Sequence, residues 1–277
     1  AFCACTSLAS ITIPKNMRYV RDHAFLGCNN LVEVINHSSI EFTKGSEKNG
    51  RIAYYALNIH NGESEIIYKD DFMFYSVGDT NYLFKYSGDK TEVTLPDSFE
   101  DEPYIIAPYA FCNNTKISSI TFGKKVAGIG KNAFEGAVSL KNVELPSDVA
   151  AIGAEAFLGC TALESIVIPD SVIGMGINTF KNCSSLKSVT IGKGLESVRE
   201  GTFSGCTALE SLIIPEKFNM IGLNAFAGCN SLSAVDFKAK EGWKAGNTSI
   251  SAEDLSDLQK AAKYLVTDYI DKEWIKA

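Results

Sequence analysis

The sequence predicts a solenoid of parallel, β-rich coils of 23 residues, with an inserted β-hairpin region and a C-terminal helical cap. Three observations carry this prediction: a phenylalanine that recurs every 23 residues, an aromatic-rich segment that interrupts the recurrence, and a final amphipathic stretch. The recurring residues are Phe111, Phe134, Phe157, Phe180, Phe203 and Phe226, and Phe2 and Phe25 share the same spacing. Recurrence at a fixed period of roughly 20 to 50 residues is typical of repeat architectures.

Alignment on these phenylalanines gives the unit A-F-x-G-C-x-x-L-x-x-I-x-I-P-x-x-V-x-x-I-G-x-x, most clearly in residues 156–176. The alternating Ile-x-Ile before Pro predicts a short strand, because Pro lacks the backbone donor that a continuing strand needs. Val-x-x-Ile-Gly predicts a second short extended piece, and Gly lets the chain turn. Each unit therefore makes one circuit of the solenoid.

A single coil cannot fold by itself. Ordering each residue costs about 1 to 2 kcal/mol of backbone entropy, whereas each of the eight apolar side chains in the unit returns only about 1.5 to 3 kcal/mol when buried. Coils must therefore stack, about 4.8 Å apart like strands in a sheet, so that equivalent residues form ladders.

Six of the eight cysteines occupy one column of the repeat, three residues after a phenylalanine: Cys5, Cys28, Cys160, Cys183, Cys206 and Cys229. A position that recurs in this way is set by packing inside each coil, where free Cys behaves as a small apolar residue. This interpretation argues against a disulfide framework. Cys3 and Cys112 lie outside the column, and their redox state stays open.

The unit, as in residues 156–169 and 202–215, resembles the BspA-like leucine-rich repeats of bacterial surface proteins. The resemblance covers roughly residues 1–35 and 93–237, and it implies a right-handed leucine-rich-repeat superhelix, a cell-surface or secreted location, and adhesion to a protein or glycan on a host or neighbouring cell. The departures are Asn114 and Ala137 for Cys, Gly123 and Gly192 for Pro, and Asn36-His37 for Ile-Pro.

The interruption begins near Asn36. We predict N-terminal repeats over residues 1–35, an aromatic-rich β insertion over 36–92, the main array over 93–237 and a cap over 238–277. In the insertion, alternating Phe72 and Phe74, then Tyr82, Phe84 and Tyr86, predict a β-hairpin around residues 76–81. These rings form either a small core that joins two stacks of coils or an aromatic contact surface for a sugar or protein.

From Ser251 the sequence predicts a capped amphipathic helix, because Asp254 stands three residues later as in a capping box. One face carries Leu255, Leu258, Ala261, Ala262 and Leu265. A terminal coil needs its open apolar end covered, so the helix is expected to act as a lid, with a partner-helix role as the alternative.

Composition excludes several function classes. The formal net charge of −7 argues against a nucleic-acid partner, and no run of apolar residues is long enough to span a membrane. The start of the sequence lacks the pattern of a secretory signal and already matches the interior of a repeat. We expect a monomer without a cofactor.

No pattern of catalytic or metal-binding residues stands out. His23, His37 and His60 lack zinc-ligand spacing, and His23 falls in a variable column of the repeat. Gly128-Ile129-Gly130-Lys131-Asn132-Ala133 fits a loose dinucleotide fingerprint, yet its glycine and alanine are repeat positions. Residues 100–102 are acidic but lack the ligand spacing of a calcium loop. We therefore expect neither catalysis nor metal binding.

The outward strand positions remain as the candidate binding surface. They mix apolar side chains, hydroxyls and both charge signs, in Glu144, Val167, Lys187, Thr190, Glu210 and Ile213. Together with Tyr82, Phe84 and Tyr86 of the insertion, they suggest a binding or adhesion module that recognises a protein or glycan. The alternative is a structural spacer that holds other domains away from the cell surface.

Overall fold

The computed structural model describes residues 2–276 and divides into two compact units after Gly88. Both units contain parallel β-coils, which confirms the predicted solenoid of 23-residue turns. None of the helical segments within residues 2–276 has the length and apolar character of a bilayer-spanning helix.

Residues 2–88 of unit 1 contain six strands: β1 (Ser10–Ile13), β2 (Glu33–Asn36), β3 (Asn58–His60), β4 (Ile67–Lys69), β5 (Phe72–Val77) and β6 (Thr80–Tyr86). Strands β1, β2 and β3 form a parallel sheet in which Ser10 pairs with Glu33 and Glu33 with Asn58. Strands β4, β5 and β6 are antiparallel, and the β5–β6 pair is the hairpin that the alternating aromatics predict. A short 3₁₀ turn spans Asn49–Arg51.

The parallel stack of unit 1 holds a third, degenerate coil inside the segment 36–92. Its strand β3 begins 25 residues after the start of β2, and the amide of Phe25 donates to the carbonyl of Gly50. Ala53 and Ala56 are buried in the same core as Cys28 and Leu31. This coil escapes the sequence pattern because small residues replace the large ones of the repeat.

The coils of unit 2 present two rows of strands. The first row consists of β7 (Glu92–Thr94), β9 (Ser119–Thr121), β11 (Asn142–Glu144), β13 (Ser165–Ile168), β15 (Ser188–Ile191), β17 (Ser211–Ile214) and β19 (Ala234–Phe237). The second row consists of β8 (Tyr104–Ile106), β10 (Val126–Ile129), β12 (Ala151–Ile152), β14 (Gly174–Met175), β16 (Ser197–Val198) and β18 (Met220–Ile221). Paired residues such as Ser165 and Ser188, or Ala151 and Gly174, lie 23 positions apart.

A ladder of phenylalanine rings runs through the core of unit 2. From Phe111 to Phe226 the successive rings stack with centroids 5.0 to 5.6 Å apart and interplanar angles of 4 to 16°. Phe134, Phe157, Phe180 and Phe203 are all at most 1% exposed. The prediction that every aligned Phe points into one continuous interior is therefore confirmed for this unit.

The cysteine column is also confirmed as a packing position. The thiols of Cys160, Cys183, Cys206 and Cys229 each donate to the carbonyl of the phenylalanine 26 residues earlier, with Sγ–O distances of 3.1 to 3.2 Å. No disulfide joins any of these four thiols to another cysteine of residues 2–276. Each coil is therefore fastened to the preceding one by a buried hydrogen bond, without any covalent link.

One column of the coil adopts left-handed backbone, which the sequence pattern did not reveal. The residue two before each Phe has φ of 54 to 64°, and it is His23, Tyr109, Asn132, Glu155, Asn178, Gly201 or Asn224. Asn is enriched in this column because its short polar side chain tolerates left-handed backbone. The variable column to which His23 belongs is therefore a turn position.

The cap differs in part from its prediction. Three strands, β20 (Trp243–Ala245), β21 (Thr248–Ser249) and β22 (Trp274–Lys276), extend the second row, with β22 antiparallel to β18. The helix α1 covers only Leu258–Lys263 and packs against β19. It lies between a 3₁₀ turn at Asp254–Ser256 and a π-helical turn at Tyr264–Asp268.

The predicted start of the helix at Ser251 is wrong, because Asp257 is the N-cap and accepts hydrogen bonds from the amides of Gln259 and Lys260. Ser251 Oγ instead accepts from the amide of Asp254 and so closes the preceding turn. Four residues of the predicted apolar face are buried, whereas Leu258 is 43% exposed.

Candidate binding surface

The outer face of the first row in unit 2 is open to solvent. Side chains alternate across a strand, so on β13 Ile166 and Ile168 point inward while Ser165 and Val167 point outward. Val167 is 61% exposed and Ile213 is 55% exposed, and Thr190 lies exposed between them on β15. The structure thus brings Val167, Thr190 and Ile213 together across three neighbouring coils.

Charged residues surround Val167, Thr190 and Ile213. Lys187 and Glu210 precede β15 and β17, and Glu144 ends β11; all three are exposed. Within residues 2–276, none of these three has an oppositely charged group within ion-pair distance. Nearby, Lys141 and Glu164 form an exposed pair at 3.2 Å, a kind of contact that contributes little to stability.

A depression of about 330 Å³ lies where this surface meets the cap. Its floor consists of the small outward residues Ser188, Ser211 and Ala234, and Ile213 and Leu258 form its apolar sides. Leu258, which was predicted to lie on the buried face of the helix, therefore extends the outer surface.

The aromatic residues of the insertion do not form an equivalent surface. Phe84 is fully buried and Tyr86 is 9% exposed, whereas Tyr82 is half-buried. Phe74 and Tyr75 are also fully buried, so the hairpin rings build a core inside unit 1. Phe84 is therefore removed from the candidate surface, because no part of its ring is accessible to a partner.

In unit 1 the outer sheet face is covered by the chain itself. Glu33 occupies the same repeat position as Ser165, and Ile35 the same position as Val167, yet Glu33 is 0% and Ile35 7% exposed. Ser64 Oγ and the Glu65 amide donate to the carboxylate of Glu33 at 2.7 and 2.8 Å. The segment after β3 thus lies on a surface that stays bare in unit 2.

The buried carboxylate of Glu33 is fully hydrogen-bonded. Ser10 Oγ donates to Oε2 at 2.5 Å, and His60 Nε2 lies 3.2 Å from Oε1. Burial alone would raise the pKa of Glu33, but the hydrogen bonds from Ser10, the Glu65 amide, Ser64 and His60 hold the pKa below its ordinary value. The arrangement stabilises a fixed charge and places no group where a substrate could reach it.

The other candidate chemical groups belong to the solenoid itself. Gly130 is a glycine at which any added Cβ would collide with the preceding coil, so the dinucleotide-like pattern is a stacking feature. Glu100 and Asp101 form a turn with positive φ. Within residues 2–276, no three His, Cys, Asp or Glu side chains are grouped so that they could hold a metal ion.

Burial also makes the column thiols unreactive. It raises the pKa of Cys160 and of Cys229 to about 12, and it raises the pKa of Cys183 and Cys206 as well. Because the thiolate is the nucleophile, these thiols are inert at neutral pH. Cys3 is the exposed cysteine of the chain, and Cys112 is half-buried.

Comparisons with known proteins agree with this architecture. A family model of the BspA type leucine rich repeat region matches six copies, over residues 1–75, 80–172 and 151–253. No curated protein matches the chain in sequence. Among solved structures, a leucine rich cell surface protein from Faecalibacterium prausnitzii A2-165 is 27% identical over 68% of this chain and 58% of its own, with a TM-score of 0.50.

A leucine-rich repeat protein from Bacteroides ovatus ATCC 8483 is 26% identical over 62% of this chain and 53% of its own, with a TM-score of 0.51. The chain therefore spans a little over half the length of these two proteins.

Proposed function

The chain belongs to the BspA-type leucine-rich repeat family, and from that premise we propose that it is a binding module of the cell surface or of a secreted protein. Its partner is a protein, which docks on the outer face of the first strand row of unit 2. The contact residues are Glu144, Val167, Lys187, Thr190, Glu210 and Ile213. The function is non-catalytic.

One observation carries the proposal: Val167 and Ile213 expose branched apolar side chains on a face that the chain covers elsewhere. Their exposed fractions are 61% and 55%, against 7% for Ile35 at the position equivalent to Val167. Exposed apolar patches with a polar rim are typical of interaction sites. In unit 1 the chain's own segment covers the equivalent face, which supports the view that such a face can hold an extended polypeptide.

The charged residues around Val167, Thr190 and Ile213 can make the surface selective among partner proteins. Lys187 lies between Glu164 and Glu210 on successive coils, so a partner must present charges in a matching order. Complementary charges at an interface contribute more to specificity and association rate than to affinity. The apolar contacts of Val167 and Ile213 therefore contribute most of the affinity, and the charged residues around them contribute most of the specificity for one partner over another.

The test is a binding screen on arrays of extracellular-matrix proteins and of glycans, with the whole chain as the probe. Val167→Glu combined with Ile213→Glu should abolish binding to the protein array, and Glu144→Ala, Lys187→Ala and Glu210→Ala together should weaken it. Val138→Glu is the matched control, because Val138 is also exposed, at 42%, but lies in a turn. Circular dichroism should show that all variants stay folded.

Two outcomes contradict the proposal. Binding that survives the Val167 and Ile213 substitutions would place the site elsewhere, for example at the half-buried Tyr82. Absence of binding to both arrays would favour the alternative function, a spacer. The continuous Phe ladder favours that alternative, since a stacked core of this kind makes a stiff array.

A further inference from the structure

The second strand row of unit 2 is interrupted at one place. Strands β8, β10, β12 and β14 form one hydrogen-bonded ladder and β16 and β18 belong to another, with no strand pairing between β14 and β16 in the described chain. In four other coils the glycine after the second strand donates its amide hydrogen to a carbonyl of the preceding coil: Gly130 to Ile106, Gly153 to Ile129, Gly176 to Ile152 and Gly222 to Val198, at 2.8 to 2.9 Å. Arg199 occupies this position after β16 and makes no such bond within residues 2–276.

The identity of residue 199 explains the interruption. The equivalent residues Gly130, Gly153, Gly176 and Gly222 approach the backbone of the preceding coil so closely that an added Cβ would lie within 3.0 Å of it. Real Cβ atoms essentially never approach backbone atoms so closely. Arg199 carries a Cβ and therefore holds its coil away from Gly176 and its neighbours.

The two coils remain joined on either side of the gap. After the gap, the amides of Asn178 and Phe180 donate to the carbonyls of Glu200 and Thr202 on the next coil, both at 2.9 Å. Before the gap, the amide of Lys193 donates to Asp170 Oδ1 on the preceding coil at 2.8 Å. The Phe180 and Phe203 rings still stack, at 5.6 Å. The opening is therefore confined to the wall of the solenoid.

A groove of about 520 Å³ lies at this opening. Ala151, Gly174 and Ser197 give it a floor of small side chains, and Ile173, Ile177 and Arg199 stand along it. Ile173 is 74% exposed, the largest value among the exposed large apolar residues of the described chain, and Ile177 is 41% exposed. Within residues 2–276 the Arg199 guanidinium has no carboxylate within ion-pair distance.

We propose that this Arg199 groove is a second docking site, which takes an extended segment of a partner protein that carries an acidic residue next to a branched aliphatic residue. The guanidinium fork matches a carboxylate in two parallel hydrogen bonds, and Ile173 and Ile177 offer aliphatic contact. Within the described chain, the amides of Glu196 and Arg199 and the carbonyls of Ile173 and Met175 lack their ladder partners. Strands β14 and β16 nevertheless stay too close for a further strand to pair between them, so the side chains along the groove provide the contacts. No aromatic ring lines the groove, so it lacks the stacking platform on which a sugar ring packs.

This site is separate from the outer face of the first row, and its test does not depend on that proposal. The probe is the acetylated, amidated tetrapeptide Ile-Glu-Ile-Gly, titrated into the whole, isotope-labelled chain and monitored by NMR. The matched probe is Ile-Gln-Ile-Gly. We expect shifts of the amide signals of Gly174, Ser197 and Arg199, and at least a tenfold weaker affinity for the Gln probe.

Three variants separate the contribution of the Arg199 charge from that of the open groove. Arg199→Ala keeps the Cβ that opens the groove and removes the charge, so affinity should fall at least tenfold. Arg199→Gly removes both and should abolish binding, while the amide at position 199 becomes protected from hydrogen exchange. Lys217→Ala removes an exposed cation elsewhere in the unit and should leave affinity unchanged.

The inference fails if the Gln probe binds as well as the Glu probe, or if Arg199→Ala leaves the affinity unchanged. It also fails if neither peptide shifts these signals. A uronic-acid disaccharide that shifts them when the peptides do not would overturn the assignment of a protein partner.

Discussion

The sheet of unit 1 and the first strand row of unit 2 are built from the same repeat, yet their outer faces have opposite environments. Ile35 is 7% exposed and the equivalent Val167 is 61% exposed. The difference arises outside the strands, because the segment after β3 covers the face in unit 1, whereas one coil leads directly into another in unit 2. An identical scaffold position therefore serves as core or as contact surface, depending on the path of the chain beyond the strand.

The largest loss of stability is expected from substitutions in the cores beneath the two faces. Phe180 has a ring stacked on each side, whereas Phe25, within residues 2–276, stacks on one ring, that of Phe2. Phe180→Ala should therefore cost about 3 to 5 kcal/mol of unfolding free energy, and Phe25→Ala should cost less. Hydrogen exchange of amides in each unit measures the two values separately. Equal losses would show that ladder position does not matter.

A smaller effect is expected at the covered face of unit 1. Glu33→Gln removes the charge that accepts three hydrogen bonds from Ser10, Ser64 and the Glu65 amide. A hydrogen bond to a charged group contributes about 1.5 to 3 kcal/mol, so unit 1 should lose about 2 to 3 kcal/mol at pH 7. Urea unfolding monitored by tyrosine fluorescence checks this value.

The same carboxylate makes the stability of unit 1 depend on pH. Because the pKa of Glu33 is lower in the folded chain than its ordinary value of 4.5, its contribution is complete above that value and is lost as pH falls through the folded pKa. Acid should therefore destabilise the wild-type unit 1 more than the Glu33→Gln variant. Parallel curves for the two proteins below pH 4.5 would show that Glu33 is not the responsible group.

Serine substitutions compare the two faces directly. Ile35→Ser should cost about 2 kcal/mol, because it removes a buried aliphatic side chain. Val167→Ser should change stability by less than about 0.5 kcal/mol, as is usual for exposed positions. Thermal unfolding of the two variants is sufficient for the comparison, and a large loss at Val167 would mean that its face is covered.

The smallest expected effect concerns the interrupted ladder. Arg199→Gly should restore the hydrogen bond to the preceding coil and stabilise unit 2 by no more than about 1 kcal/mol, since glycine costs conformational entropy in the unfolded chain. Slower hydrogen exchange of the amides of residues 196 and 199 would show that the two coils have come together. Unchanged exchange would indicate that something other than the Cβ separates the coils.

The sequence predicted the features that repeat and missed those that occur once. Columns of Phe, Leu, Ile and Cys carry a periodic signal, so the coils and their inward faces could be derived from spacing alone. The degenerate coil around Ala53 could not, because small residues leave no periodic apolar pattern. The burial of Glu33 depends on the fold of a later segment, which no local pattern encodes.

The candidate surface was predictable in outline. Alternation along β13 and β17 placed Val167 and Ile213 outward, but Leu258 joined them only because Asp257 capped the helix later than Ser251 would have. Arg199 could have been noticed as a departure from the glycines at positions 130, 153, 176 and 222 of the same column. The meaning of that departure, a gap between two coils, requires knowledge of how closely the backbones approach.

The thiol column has a practical consequence. Cys160, Cys183, Cys206 and Cys229 place one shielded sulfur in each of four successive turns, and each becomes accessible only when its own turn opens. Alkylation with a maleimide at increasing urea, and then peptide mass spectrometry, would therefore record the order in which the array unravels. The native cysteines therefore show which turn has unfolded, without an engineered label.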